Sequence, residues 1–247
     1  MKIFVCSTGR TGTMFMSQVF SELTDIPSYH EVAPYCIGET CRELNNTAKY
    51  SKETQAVVDR KIESIKNLTI DGNYFEASNM FIKSFCRPVF ETFDDIYCIY
   101  IERNMLEVFF SLGERNWQNG QDWLMQSHWQ LNLWRTEDKL DYYSNLTWNW
   151  YEVRKRFYSW RGVFKKSYVF KFEDINNIDE YHKMFNHFKI PFDALKKLPE
   201  PKGRILNENA EGKPITERYT SIIVDFFKKW NREGVEWVFP SDYEELK

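Results

Sequence analysis

No stretch of the 247-residue chain approaches the ~20 consecutive apolar residues that a bilayer-spanning helix needs, so no membrane association is expected. The first strand-like run starts at residue 2, so no secretory leader is expected. An excess of positive charge is also missing. The formal net charge is −3, which argues against non-specific nucleic-acid binding. The five cysteines (Cys6, Cys36, Cys41, Cys86 and Cys98) are odd in number and lack the tight spacing of a disulfide framework, which predicts reduced thiols in a cytoplasmic setting. The N-x-[ST] sequons at Asn45, Asn67 and Asn145 are then chance matches. Repeats, low-complexity tracts and linker-like segments are absent, so residues 1–247 are expected to form a single domain. What remains is ordinary globular composition, 43% hydrophobic and 28% charged, with an unusual aromatic share of 17%. Many of these rings must lie in the core, and some could line a site for a flat ligand.

The most informative stretch is the first thirty residues. Lys2 to Ser7 is apolar, β-branched and aromatic, and predicts a strand. Thr8-Gly9-Arg10-Thr11-Gly12-Thr13 is a glycine-punctuated turn with one cation, and Met14 to Leu23 predicts a helix. A strand that passes through such a turn into a helix aims backbone N–H groups and the positive end of the helix dipole at one point, which makes an anion site. Gly9 and Gly12 permit positive φ and close approach of a ligand. The threonines add hydroxyls, and Arg10 adds a planar, permanent cation suited to phosphate or sulfate oxygens. A nucleotide-hydrolysing loop would place Lys and Ser/Thr after its last glycine. Here Thr13 and Met14 follow Gly12, and no G-x-G-x-x-G fingerprint is present, so the loop is expected to hold an anion without Mg²⁺. An ordinary tight turn is the alternative.

Ser28 to Val32 predicts a short strand, and its carboxyl end carries His30 and Glu31, either as functional groups or as partners that cap or salt-bridge the loop. Residues 33–51 are polar and predict a loop or lid. Lys52 to Asn67 has apolar positions at helical spacing, Asn73 to Ala77 predicts a strand, and Met80 to Phe93 predicts a helix that Pro88 could interrupt. Asp95 to Ile101 is continuously apolar, as a buried parallel strand should be. Arg103 emerges at its carboxyl end, and Ser111 lies two helical turns further on, near enough to share one ligand with it. The alternatives are a salt bridge from Arg103 to Glu102 or Glu107 and a solvated hydroxyl at Ser111. Residues 115–160 are an aromatic block of helical periodicity, expected to pack on the sheet and to contribute some rings to an acceptor pocket. Tyr168 to Phe172 predicts a strand, Ile178 to Phe188 a helix, residues 196–214 a mobile basic loop, and Thr216 the cap of a final helix. Alternating strands and helices predict an α/β fold, three layers in α/β/α order around a parallel sheet.

The assembled motifs resemble the sulfotransferase superfamily, enzymes that move a sulfuryl group from 3′-phosphoadenosine 5′-phosphosulfate (PAPS) to a hydroxyl or amine. Gly9-Arg10-Thr11-Gly12-Thr13-Met14-Phe15 is similar to the family's 5′-phosphosulfate loop, in the branch that carries Arg where the small-molecule enzymes carry Lys. Tyr100-Ile101-Glu102-Arg103-Asn104 through Ser111 is similar to its 3′-phosphate motif. Phe170-Lys171-Phe172-Glu173-Asp174 resembles its Y-E-D-L strand end, and Lys202-Gly203-Arg204 a late basic loop that closes on the cofactor. The resemblance implies a P-loop-NTPase-like fold, PAPS as co-substrate and the nucleotide PAP as product, without a metal. It implies cofactor contacts from Gly9, Arg10, Thr11, Gly12, Thr13, Met14, Arg103, Ser111, Phe172, Gly203 and Arg204. Lys83-Ser84-Phe85 has Phe where the K-T-H segment of the small-molecule enzymes has its catalytic His. Other branches of the family place a Glu just after the first helix, so the resemblance implies Glu31 as the base, with Arg10 assisting the transfer. The alternatives are His30 beside it and, more weakly, Glu76, in a segment similar to an E-x-S of some members. The acceptor implied is a small molecule, carbohydrate or peptide. The competing classes are a P-loop kinase and a PAP-binding module without chemistry.

Overall fold

A computed structural model describes residues 1–47, 49–105, 107, 108, 111 and 142–200. Five parallel strands form one sheet in the order β2-β3-β1-β4-β5: β1 Lys2–Cys6, β2 Ser28–His30, β3 Tyr74–Ala77, β4 Ile96–Glu102 and β5 Lys166–Lys171. β1 takes the centre because its residues 3–6 are apolar on both faces, and all four are fully buried. It pairs in register with β3 on one side (Lys2 opposite Tyr74) and β4 on the other (Lys2 opposite Ile96).

The two faces of β1 belong to two cores. Ile3 and Val5 pack with α1 (Thr13–Leu23) and α6 (Ile178–Phe188) through Phe15, Val19, Phe20, Met184 and Phe185. Phe4 and Cys6 face α2 (Gly38–Asn46), α3 (Lys52–Leu68), a π-helical turn (Phe81–Phe85), α4 (Cys86–Thr92) and α5 (Tyr142–Trp160). Helices on both faces of a parallel sheet make the three-layer α/β/α architecture expected from the sequence. All five cysteines are buried free thiols. Among the described residues no helix is long and apolar enough to cross a membrane, and no cluster of ligands could hold a metal ion.

Two expectations about elements are corrected. The polar segment 33–51 is not simply loop: it contains α2, whose Cys41 and Leu44 are buried while the remainder of the helix is polar enough to obscure its period. Pro88 does not interrupt its helix, because it lies in the first turn of α4, where a missing N–H deprives no partner. The change of geometry falls earlier, where the π-helical turn gives way to α4 at Cys86. Residues 105, 107, 108 and 111 are helical, as expected after β4. Of the aromatic block, residues 142–160 form α5. Trp117, Trp123, Trp129 and Trp134, the loop 196–214 beyond residue 200 and the helix capped by Thr216 lie outside the described residues.

Candidate functional site

Because all pairings are parallel, the five carboxyl ends share one edge of the sheet, and the chain diverges there to either side of β1. The loop after β1 turns through three left-handed residues, Gly9 (φ 91°), Arg10 (φ 57°) and Gly12 (φ 74°). Glycine meets that demand freely, whereas Arg10 bears a cost of about 1–3 kcal/mol, a kind of strain that clusters at ligand clamps. A Cβ at Gly12 would also meet the end of the Ile175 side chain, on the segment after β5, which would have to shift to admit it. Gly12 caps α1 with no side-chain hydrogen bond, and no acidic residue occupies the first turn, so nothing on the helix itself neutralises its positive end. The Thr11 hydroxyl is buried, 1% exposed, with no hydrogen-bond partner among the described residues.

Arg10 Nε donates to Ser111 Oγ at 3.2 Å, and Arg103 Nη1 donates to the Arg10 carbonyl. These contacts join the loop after β1 to the segment after β4, about a hundred residues away in sequence. Arg103 is buried. Its guanidinium lies 3.9 Å from the centroid of the Phe172 ring, and its Nε pairs with Glu107 at 3.2 Å. Burial pulls its pKa down, while Glu107 and then Glu173 oppose that shift. Glu102, the other candidate partner, pairs instead with Arg154. Phe172 thus holds Arg103 in place by its ring face. Met14 is half-exposed, at 53%, and Gly203 and Arg204 lie outside the described residues.

On the β2–β3 side, Thr13 Oγ1 and His30 Nε2 are 3.1 Å apart, which ties His30 to the first residue of α1. Glu31 adopts a left-handed backbone (φ 50°), and its Oε1 accepts from Asn79 Nδ2 at 2.6 Å. Asn79 Oδ1 in turn accepts from Lys83 Nζ at 3.1 Å, and the same amine donates to the Thr8 carbonyl at 2.9 Å. Lys83 has no exposed surface. Burial pushes its pKa down to about 7, against smaller opposing effects of Cys41 and Glu31. Glu76 belongs elsewhere: it is fully buried, with its carboxylate taken up by Lys61 Nζ (2.8 and 3.0 Å), Tyr74 Oη (2.6 Å) and the Val32 N–H (3.1 Å), so it has no route to an acceptor. Sequence reasoning placed Lys83 opposite the lysine of the K-T-H segment but assigned no role to its amine or to Asn79. The signal available was a single lysine within the apolar run Met80 to Phe85, four residues after an asparagine.

The fold is shared with a solved sulfotransferase. The crystal structure of a sulfotransferase from Alicyclobacillus acidocaldarius aligns over 91% of this chain and 91% of its own, with a TM-score of 0.54 and 11% identity. The sulfotransferase domain from the curacin biosynthetic pathway aligns over 99% of this chain and 95% of its own, with a TM-score of 0.48 and 12% identity. No protein-family model matches the chain, and no curated protein matches it. At such identity the likeness concerns the fold, and the activity has to be argued from the site.

Proposed function

We propose that the chain is a PAPS-dependent sulfotransferase, acting on a hydroxyl or amine of a small-molecule, carbohydrate or peptide acceptor, with Arg10 in its phosphosulfate loop. The observation that carries this reading is the meeting of two anion-binding motifs: Arg10 touches Ser111, and Arg103 touches the Arg10 backbone. The donors suit a doubly anionic nucleotide. The Arg103 guanidinium reaches the backbone of the loop that carries Arg10. The same loop holds a helix N-terminus without a side-chain cap and a buried Thr11 hydroxyl with no partner among the described residues.

When bound, PAPS supplies the sulfuryl group. Arg10, the backbone N–H groups of the loop through Thr13 and the Thr11 hydroxyl would hold its 5′-phosphate side, where negative charge grows on the bridging oxygen. One preorganised donor at such a position is worth about 3–4 kcal/mol of transition-state stabilisation. Arg103 and Ser111, with Arg204, would hold the 3′-phosphate, and Phe172 would keep Arg103 aimed. Glu31 would accept the proton of the acceptor, with His30 as the other candidate.

Turnover with labelled PAPS and a panel of hydroxyl and amine acceptors tests the assignment. Glu31→Gln is expected to lower turnover by about 10²–10⁴-fold, the usual weight of a general base, and to leave PAP affinity unchanged. Full activity in Glu31→Gln together with its loss in His30→Ala would move the base to His30.

A further inference from the structure

We propose that Asn79 is the positioning residue for Glu31, holding the carboxylate in register with the loop after β1 through Lys83; the inference rests on Glu31 being the base. Glu31 needs such a device. It follows a three-residue edge strand, and its main chain is tied to β3 by one long bond, its N–H to the Ala77 carbonyl at 3.3 Å. Among the described residues, the Asn79 amide makes the one hydrogen bond to its carboxylate, and that bond is short, 2.6 Å.

Chemistry fixes the orientation of the amide. Turned the other way, its NH₂ would face the Lys83 amine, a donor, and its oxygen would face the Glu31 carboxylate, an acceptor. Lys83 is held at both ends. Its amine donates to the Thr8 carbonyl, and its own carbonyl accepts from Asn45 Nδ2 at 2.8 Å. The lysine lies on a fully buried π-helical turn, a local irregularity frequent at functional sites. Asn79 stands beside the loop, near enough that a Cβ added at Gly9 would come into van der Waals contact with it. The chain Thr8–Lys83–Asn79–Glu31 therefore sets where the carboxylate stands relative to the loop.

Asn79→Leu separates positioning from packing, because leucine keeps the size of the side chain and brings no charge but cannot donate to Glu31. Asn79→Ala and Asn79→Leu are both expected to lower kcat about 10²-fold, the cost of a misplaced reacting group, while the KM for PAPS and the affinity for PAP stay unchanged. Neither change should lower the residual rate of Glu31→Gln further, since the group it acts through is already gone. Thermal melting of each variant verifies that it is folded. Full kcat in Asn79→Leu, or an equal factor lost in the Glu31→Gln background, overturns the positioning role and leaves the base assignment standing. Full activity in Glu31→Gln removes the base assignment, and the positioning role with it.

Discussion

An amine with no exposed surface carries a pH dependence that an exposed lysine does not. Burial lowers the Lys83 pKa from the ordinary 10.5 to about 7. Between those values the unfolded chain holds the proton and the folded chain does not, so stability rises with pH across the window. Below pH ~7 both states are charged, and the folded state bears the full cost of the buried charge. Urea unfolding at pH 7, 8 and 9 should show the native protein gaining stability relative to Lys83→Met, with the difference changing steadily in that direction. A pH-independent difference would mean that the amine keeps its proton in the fold. Arg103 behaves differently at the same edge, because burial shifts it downward from a starting point too high for charge loss.

At the scale of elements, α3 and β3 are joined by a buried ion pair between Lys61 and Glu76. Lys61 is 1% exposed and Glu76 fully buried, and both also reach the Val32 backbone, one residue after Glu31. Lys61→Met strands the Glu76 carboxylate and should cost about 3–5 kcal/mol of stability in urea unfolding, with Lys61→Met/Glu76→Gln recovering part of it. A loss near that of an exposed salt bridge, below about 1 kcal/mol, would contradict this account of the pair. Elements with strong apolar periods were legible in the sequence: α6 has the predicted limits, and α1 and α3 differ by one residue at an end. α2 was not, because only a thin apolar stripe marks it. The π-helical turn was not either, since its sequence reads equally well as α-helix.

For the molecule as a whole, alternating apolar runs made a parallel α/β/α fold predictable, and the strand-to-helix turn marked where an anion could sit. The mutual placement of the motifs was not legible. Whether Arg10 and Arg103 meet depends on β4 lying directly beside β1, and sheet order is decided by long-range packing that local sequence does not encode. The hydrogen bonds of Asn79 and Lys83 were hidden for the same reason, because they span β2, β3 and the loop. The proposed function has the loop after β1 and the segment after β4 grip one ligand together. Calorimetric titration with PAP, without added metal, tests it most directly. Binding by the native protein, with Arg10→Ala and Arg103→Ala each weakening affinity about tenfold or more, by the loss of a charge-assisted contact, is the predicted result. Absence of PAP binding by the native protein, or affinity indifferent to both arginines, would contradict it.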